Sequence, residues 1–307
     1  MKRFKTAMFP VFLLAVLLGS NTVISRAAIQ SVSPYALNAA RVSLTALIYL
    51  VSFALVPGWR WPRDLSVWLQ AGLWGIFGFA LPLTAFMHVL SYFSSGVTSL
   101  FGTLSPVVVA ILAHFLLQDE RLTLLKIAGS LIAFGGVATI LFSGETGLGG
   151  LVQADPRGYL WAAVGVLSGS GSVVYSRRFL SNMESIQATG VRTVVAAPVL
   201  IGVALFTGNF QFQPLLHGGN LLGLIYLASI GTFLIFILEF HVIQSFGAGP
   251  ASQMNYLLPP VAAGLGVLFL GEQISLVFLT GMLVIFVGLF LVNYAPRPHP
   301  APDPQVR

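Results

Sequence analysis

Apolar residues in this chain of 307 do not alternate with polar ones; they continue for about twenty positions and then break at glycine, proline or charged residues. Runs of this kind lie at 8–25, 35–56, 66–90, 95–117, 124–142, 159–176, 186–206, 221–243, 251–270 and 276–294. A helix rises 1.5 Å per residue, so about 20 residues cross the ~30 Å hydrocarbon core of a bilayer. Each run is therefore a candidate crossing. A membrane strand would need only about 9–11 residues, with polar residues at every second position, and these runs have neither feature. The connections are short and carry turn chemistry, as in Pro57-Gly58, Gly218-Gly219 and Gly247-Ala248-Gly249-Pro250. The C-terminal stretch from Pro296 to Pro302 is proline-rich and reads as extended or disordered.

Composition agrees with the pattern. Hydrophobic residues make up 56% of the chain and charged residues 8%, where a soluble domain carries roughly 25% charged residues. The mean hydropathy is +0.90. With no cysteine, disulfides, thiolate zinc sites and cysteine nucleophiles are excluded. The net charge of +6 is scattered between apolar runs instead of forming a stripe, which argues against nucleic acid as a partner. The start, Met1-Lys2-Arg3-Phe4-Lys5 ahead of an apolar run, has the form of a signal sequence; with so many later spans it reads as an uncleaved anchor.

Charge sets the orientation. With the N-terminus inside, eleven of the 15 Lys and Arg fall on the cytoplasmic side, Arg26 and Arg157 fall outside, and Arg41 and Arg192 lie within spans. That bias satisfies the positive-inside rule with both termini cytoplasmic.

The two halves echo each other. Arg41 matches Arg192, and Ser25-Arg26 matches Ser176-Arg177, at an offset of 151; His88-Val89 matches His241-Val242 and Pro106 matches Pro259 at 153. Glu120 matches Glu272, Gly129 matches Gly281 and Gly136 matches Gly288 at 152. Five spans per half is an odd number, so the second half would enter the membrane upside down. The expectation is an all-α membrane protein of ten transmembrane helices in two five-helix repeats of inverted topology, residues 1–146 and 147–307. Inverted repeats of this kind are typical of secondary transporters, with substrate held near the midplane between the halves.

Particular residues resemble the drug/metabolite transporter superfamily, and within it the bacterial EamA-type transporters. They are Gly19-Ser20-Asn21, Ala40-Arg41-Val42, Leu104-Ser105-Pro106-Val107-Val108 leading to Asp119-Glu120-Arg121-Leu122, and the second-half series Leu258-Pro259-Pro260-Val261 to Leu270-Gly271-Glu272-Gln273-Ile274. The resemblance covers about residues 9–293, although the tryptophan that usually opens the family's first span is replaced by Leu18. It implies transport of small metabolites without a cofactor, with amino acids or related compounds exported across a bacterial inner membrane; monomer and homodimer both stay open.

Polar residues inside spans are the natural site candidates, because lipid cannot satisfy them. Asn21, Thr84, His88, Ser105, Ser170, Ser172, Gln253, Asn255 and Tyr256 are expected around a central cavity, with Asn21, His88, Gln253 and Tyr256 converging. Glu239, an acidic residue well inside a span, is the candidate for coupling to protons. Arg41, Arg192, Glu120 and Glu272 read as structural or gating residues, the two glutamates being placed to cap the helix that follows each of them. Trp74 and Trp161 could line an aromatic site, and Gly129 with Ala133, like Ala262 with Gly266, has the small-xxx-small spacing of close helix packing.

Other classes find little support. His-Glu-x-x-His, Gly-x-Ser-x-Gly and paired intramembrane aspartates are all missing, as is the Gly-Lys-Ser/Thr phosphate loop of an ATP-driven pump. No Lys or Arg lies at the centre of the fourth or ninth run to hold a phosphate dianion. A channel for neutral solutes is the remaining competitor, and an intramembrane enzyme a more distant one. The lack of native cysteine allows the topology to be tested cleanly. A single cysteine introduced within 144–157 should react with an impermeant maleimide in intact cells, and one within 177–182 only after permeabilisation. The opposite pattern contradicts the orientation.

Overall fold

The computed structural model describes residues 2–117, 122–149, 154–180, 183–208, 211, 213–239 and 254–294. Among them there is no strand. The chain runs through α1 (Lys2–Ala28), α2 (Pro34–Leu55), α3 (Leu65–Tyr92), α4 (Ser95–Leu116, broken by a turn at Thr103 and Leu104), α5 (Leu124–Ser143), α6 (Pro156–Phe179), α7 (Ser185–Phe206), α8 (Gly219–Glu239), α9 (Met254–Leu270) and α10 (Leu276–Tyr294). Among the described residues eight helices are long and apolar enough to cross a membrane. The ninth, α9, is apolar and shorter over its described length, while α6 reaches 24 residues but carries Arg157, Arg177, Arg178 and several serines.

Helix ends follow local rules. Ser33 caps α2 through the Ala36 amide with Pro34 at the first position; Asp64 caps α3 through the Ser66 amide; Thr123 caps α5 through the Lys126 amide; Asp155 caps α6 through the Arg157 amide. The Ser66 amide and hydroxyl hold the Asp64 carboxyl below the usual carboxylate range. The Arg157 side chain and amide do the same for Asp155. Gly144, with φ of +67°, closes α5 in the left-handed conformation that a side chain would resist.

Two helices contain a π-helical turn: Ile76–Ala80 in α3 and Ser229–Leu234 in α8. Both fall at equivalent places in the two halves. In α3 the cause is local, since Pro82 has no amide proton to offer the Gly78 carbonyl one turn back. A widened turn of this kind leaves carbonyls without an intrahelical donor, and such turns gather at functional sites.

Packing partners exchange when α1–α5 are swapped for α6–α10. Helix α5 runs along α10 and α2 along α7; α1 lies on α9 as α6 lies on the second part of α4; α3 meets α7 as α8 meets α2; and the second part of α3 rests on α6 as α8 rests on α1. The α5–α10 seam is lined by glycine on both sides. A Cβ on Gly129 would sit 2.6 Å from the Gly288 carbonyl oxygen, and one on Gly136 would sit 2.8 Å from that of Gly281. Ala133 faces Gly288 in the same seam. Bilayer helices gain nothing from expelling water, so contact made possible by small residues is what holds them together.

One end of the bundle is knotted by loops. The Ser94 amide donates to the Thr146 carbonyl (2.8 Å), the Gln273 amide to the Gly147 carbonyl (3.0 Å) and the Ser275 hydroxyl to the Glu145 carboxylate (2.6 Å). Elements from both halves are thereby tied together around residues 144–149.

Because the atoms facing Gly288 are backbone, they cannot rotate away. Gly288→Ala is expected to cost about 1–3 kcal/mol through overpacking, read as a lower melting temperature in detergent. Gly135→Ala, which has open space in front of it, should leave the melting temperature unchanged. Equal melting of the two variants contradicts a glycine-dependent seam.

Candidate functional site: two arginines at two π turns

Arg41 and Arg192 occupy equivalent positions on α2 and α7, and both are almost fully buried, at 2% and 6% exposure. Each lies beside the π turn of the opposite half. Their surroundings differ in a way the repeat does not dictate.

Arg41 is bonded to its π turn. Its Nε donates to the Thr232 hydroxyl at 2.7 Å and its Nη2 to the Gly231 carbonyl at 3.0 Å. The Thr232 hydroxyl in turn donates to the Leu227 carbonyl five residues back, at 2.8 Å. Thr45, one turn along α2, places its hydroxyl 3.1 Å from the Ala228 carbonyl. The carbonyls released by the wide turn are thus taken up by a cation and by hydroxyls. Bonds from a charged donor contribute about 1.5–3 kcal/mol each when buried.

Arg192 meets aromatic rings instead. Phe79 stands where the repeat places Thr232 in the other half, and Trp74 and Phe236 complete the enclosure. The guanidinium carbon lies 4.4, 4.8 and 4.1 Å from the ring centroids of Trp74, Phe79 and Phe236. Cation–π attraction is worth up to about 2 kcal/mol in a desolvated site, but a ring accepts no conventional hydrogen bond. Nε and Nη2 of Arg192 are buried without an acceptor. Glu239 lies within electrostatic range of the guanidinium. A Cβ on Gly75 would press on the Arg192 backbone, so only glycine lets α3 approach α7 this closely.

The remaining candidates separate into groups. Asn21 on α1 faces Gly231 in the α8 π turn, and its Oδ1 is buried without a donor. His88 lies between Tyr35 (4.6 Å between centroids) and Trp161 (4.5 Å, stacked), with Nε2 unpartnered. Thr84 gives its hydroxyl to the Ala80 carbonyl of its own helix. Ser170 reaches the Ser105 carbonyl at 3.3 Å, tying α6 to the break in α4, and Ser172 accepts from the Trp74 indole. Tyr256 accepts from the Asn293 amide at 3.1 Å and packs on Phe286, so it is engaged with α10. Asn255 lies half-buried on α9. Gln253 and Glu120 lie outside the described residues.

Glu272 does cap a helix, but that helix is α4 of the other half and not the α10 that follows. Its Oε1 accepts from the Ser95 amide at 2.8 Å and from the Ser95 hydroxyl at 2.9 Å. Gly271, with φ of +66°, turns the chain back so that the carboxylate lies over Gly266, which has no room for a side chain. Burial pushes the Glu272 carboxyl up, and the Ser95 bonds oppose that shift. Asn38, not marked as a candidate in the sequence, is fully buried with neither side-chain polar atom bonded. Its position one turn before Arg41 and one after Tyr35 was the available signal. A cavity of about 480 Å³ opens between α3 and α6, lined by Leu73, Trp74, Phe77, Gly78, Leu81, Ser168, Gly171, Ser172 and Tyr175.

Comparison with known proteins decides the family. The model of the EamA-like transporter family matches residues 5–142 and matches again at 156–294. The chain belongs to the EamA-like transporter family. This EamA-like chain is similar to a chloroplastic WAT1-related protein of Arabidopsis thaliana, 24% identical over 286 residues, covering 90% of this chain and 66% of that one. It is similar to protein PecM of Dickeya dadantii, 27% identical over 230 residues, with 72% and 74% of the two chains covered. It is also similar to the uncharacterized transporter YvbV of Bacillus subtilis, 26% identical over 300 residues, covering 94% and 92%. A protein of known crystal structure shares the fold with a TM-score of 0.64 at 19% identity, over 94% of this chain and 96% of that one. The chain is accordingly a multi-pass membrane transporter.

The contrast between the arginines gives a stability test. Arg41→Met should lower stability by about 2–4 kcal/mol, because it strands the π-turn carbonyl and hydroxyl. Arg192→Met, which removes a cation lacking hydrogen-bond acceptors, should stay within about 1 kcal/mol of the parent. Equal losses on thermal unfolding would contradict the different bonding of the two sites.

Proposed function

We propose that this EamA-like transporter is a secondary exporter of small metabolites, most suited to amino acids or related compounds. It works by alternating access between two five-helix halves of inverted topology, residues 1–146 and 147–307. The observation that supports the reading is the exchange symmetry of the packing: among the described residues the principal helix contacts recur when the halves are swapped, and each half has a π turn at the equivalent place. The doubled family match supports the same division. Five helices per unit reverse the second unit in the membrane, and such pairs can rock about a shared seam to expose one site to either side in turn. Helices α5 and α10 make that seam. A separation of α3 from α7 is then the counterpart of a separation of α8 from α2.

The charge distribution supports both termini in the cytoplasm of a bacterial inner membrane. In that orientation the loop knot around 144–149 lies outside, and the Arg192 region is nearer the inside. Proton coupling through Glu239 fits a carboxylate placed within a span beside a buried cation, since protonation would change its attraction to Arg192.

Two measurements test the proposal. Proteoliposomes loaded with unlabelled amino acid should accumulate the labelled compound by saturable counterflow, with no chemical change in it. Linear, non-saturable flux would favour a pore, and a new product an enzyme. Glu239→Gln keeps shape and removes titration, so its transport should lose the pH dependence of the parent; an unaltered pH profile in that variant eliminates Glu239 as the coupling residue.

A further inference from the structure

The Arg192 site is incomplete in a specific way. A guanidinium has five N–H donors in a plane and is matched best by two oxygens of one carboxylate. Here Nε and Nη2 are buried and bonded to nothing, three ring faces supply attraction without hydrogen bonds, and Glu239 acts on the cation from a distance without forming an ion pair. At the equivalent position Arg41 has acceptors for its Nε and Nη2, a hydroxyl and a carbonyl, and only its Nη1 is buried without one, so the same two nitrogens are bonded in one half and bare in the other. Burying an unsatisfied charged donor is costly. Where the other half has Thr232 this one has Phe79, so the hydroxyl acceptor is replaced by a ring, and the Tyr49 hydroxyl, within electrostatic range of Arg192, is buried without a hydrogen bond of its own.

We infer that Arg192 binds the carboxylate of a small monocarboxylate substrate, with Trp74, Phe79 and Phe236 packing around its apolar body. The inference rests on the transport reading and narrows its substrate class. Aromatic surroundings disfavour phosphates and dianions, for which one guanidinium without further cations is insufficient, and they suit one carboxylate joined to an apolar group. Trp74 links this site to the cavity between α3 and α6: one face of its ring lies on Arg192, while its indole N–H bonds Ser172 on the cavity wall. Occupancy at Arg192 should therefore alter the environment of Trp74.

The test uses the full chain in detergent with four probes: phenylacetate, phenylacetamide, hexanoate and hexanamide. Tryptophan fluorescence and melting temperature are followed together. The parent should respond saturably to the two acids and at least about tenfold more weakly to the amides, the difference expected from one charge-assisted pair of hydrogen bonds. Arg192→Gln should erase the preference for acid over amide, and Arg192→Lys, which keeps charge without the planar fork, should retain part of it. A parent that responds equally to acid and amide, or an acid preference that survives in Arg192→Gln, overturns the inference. If Arg192→Gln does not elute as folded protein, Arg192→Lys and the parent's own acid-to-amide ratio decide the matter. Counterflow on the same preparation keeps the two claims apart. Solute exchange without acid preference leaves the transport reading standing and removes the carboxylate assignment. Acid-dependent binding without exchange of any solute does the reverse.

Discussion

Inside a bilayer a backbone carbonyl or a charged side chain has no water to turn to, so each must be satisfied by the protein itself or by something the protein carries. This constraint governs the two π turns. Each widens a helix in the interior and releases acceptors, and each is met by an arginine from the other half. In one half the match is closer: Arg41 bonds Thr232 and Gly231 through Nε and Nη2, leaving Nη1 without an acceptor, and Thr45 lies against Ala228. In the other, Phe79 takes the place of the hydroxyl and Arg192 is left among rings.

The architecture follows from the same shortage of solvent. Without a hydrophobic drive between helices, close contact at small residues decides which pairs persist, and the glycine-lined α5–α10 seam is one of them. A seam built on backbone contact can serve as a fixed axis. Contacts among α2, α3, α7 and α8 combine a close backbone approach at Gly75 with side chains, two π turns and two buried cations, and at those π turns the halves differ. On the alternating-access proposal, a symmetric frame of this kind would provide two equivalent states, and an asymmetric centre a single place for the substrate to bind.

Much of this was legible in the sequence, because bilayer thickness forces long apolar runs and duplication leaves charged and proline residues at a nearly constant offset. Spans 124–142 and 276–294 differ from α5 and α10 by no more than a residue at either end. The pairing of Arg41 with Arg192 was visible as well. Their different environments were not, because those depend on which residue of a distant π turn each side chain meets, and periodicity in one helix carries no information about that. Tyr256 shows the same limit: its place within a span was legible, while the hydrogen bond it accepts from Asn293 on α10 was not. Glu272 was read as placed to cap the helix that follows it, whereas its carboxylate accepts from Ser95 at the start of α4, 177 residues away in sequence.

If Arg192 holds the substrate, α3 and α7 must part for it to be reached. A Cβ built on Gly72 lies 3.9 Å from the Cβ of Val195, close to the ~3.8 Å separation of a disulfide-linked pair. In a chain with no native cysteine, Gly72→Cys with Val195→Cys can be crosslinked without competing thiols. Oxidation should stop solute exchange in proteoliposomes, and reduction should restore it. Exchange at the uncrosslinked rate in protein shown to be fully crosslinked would contradict it.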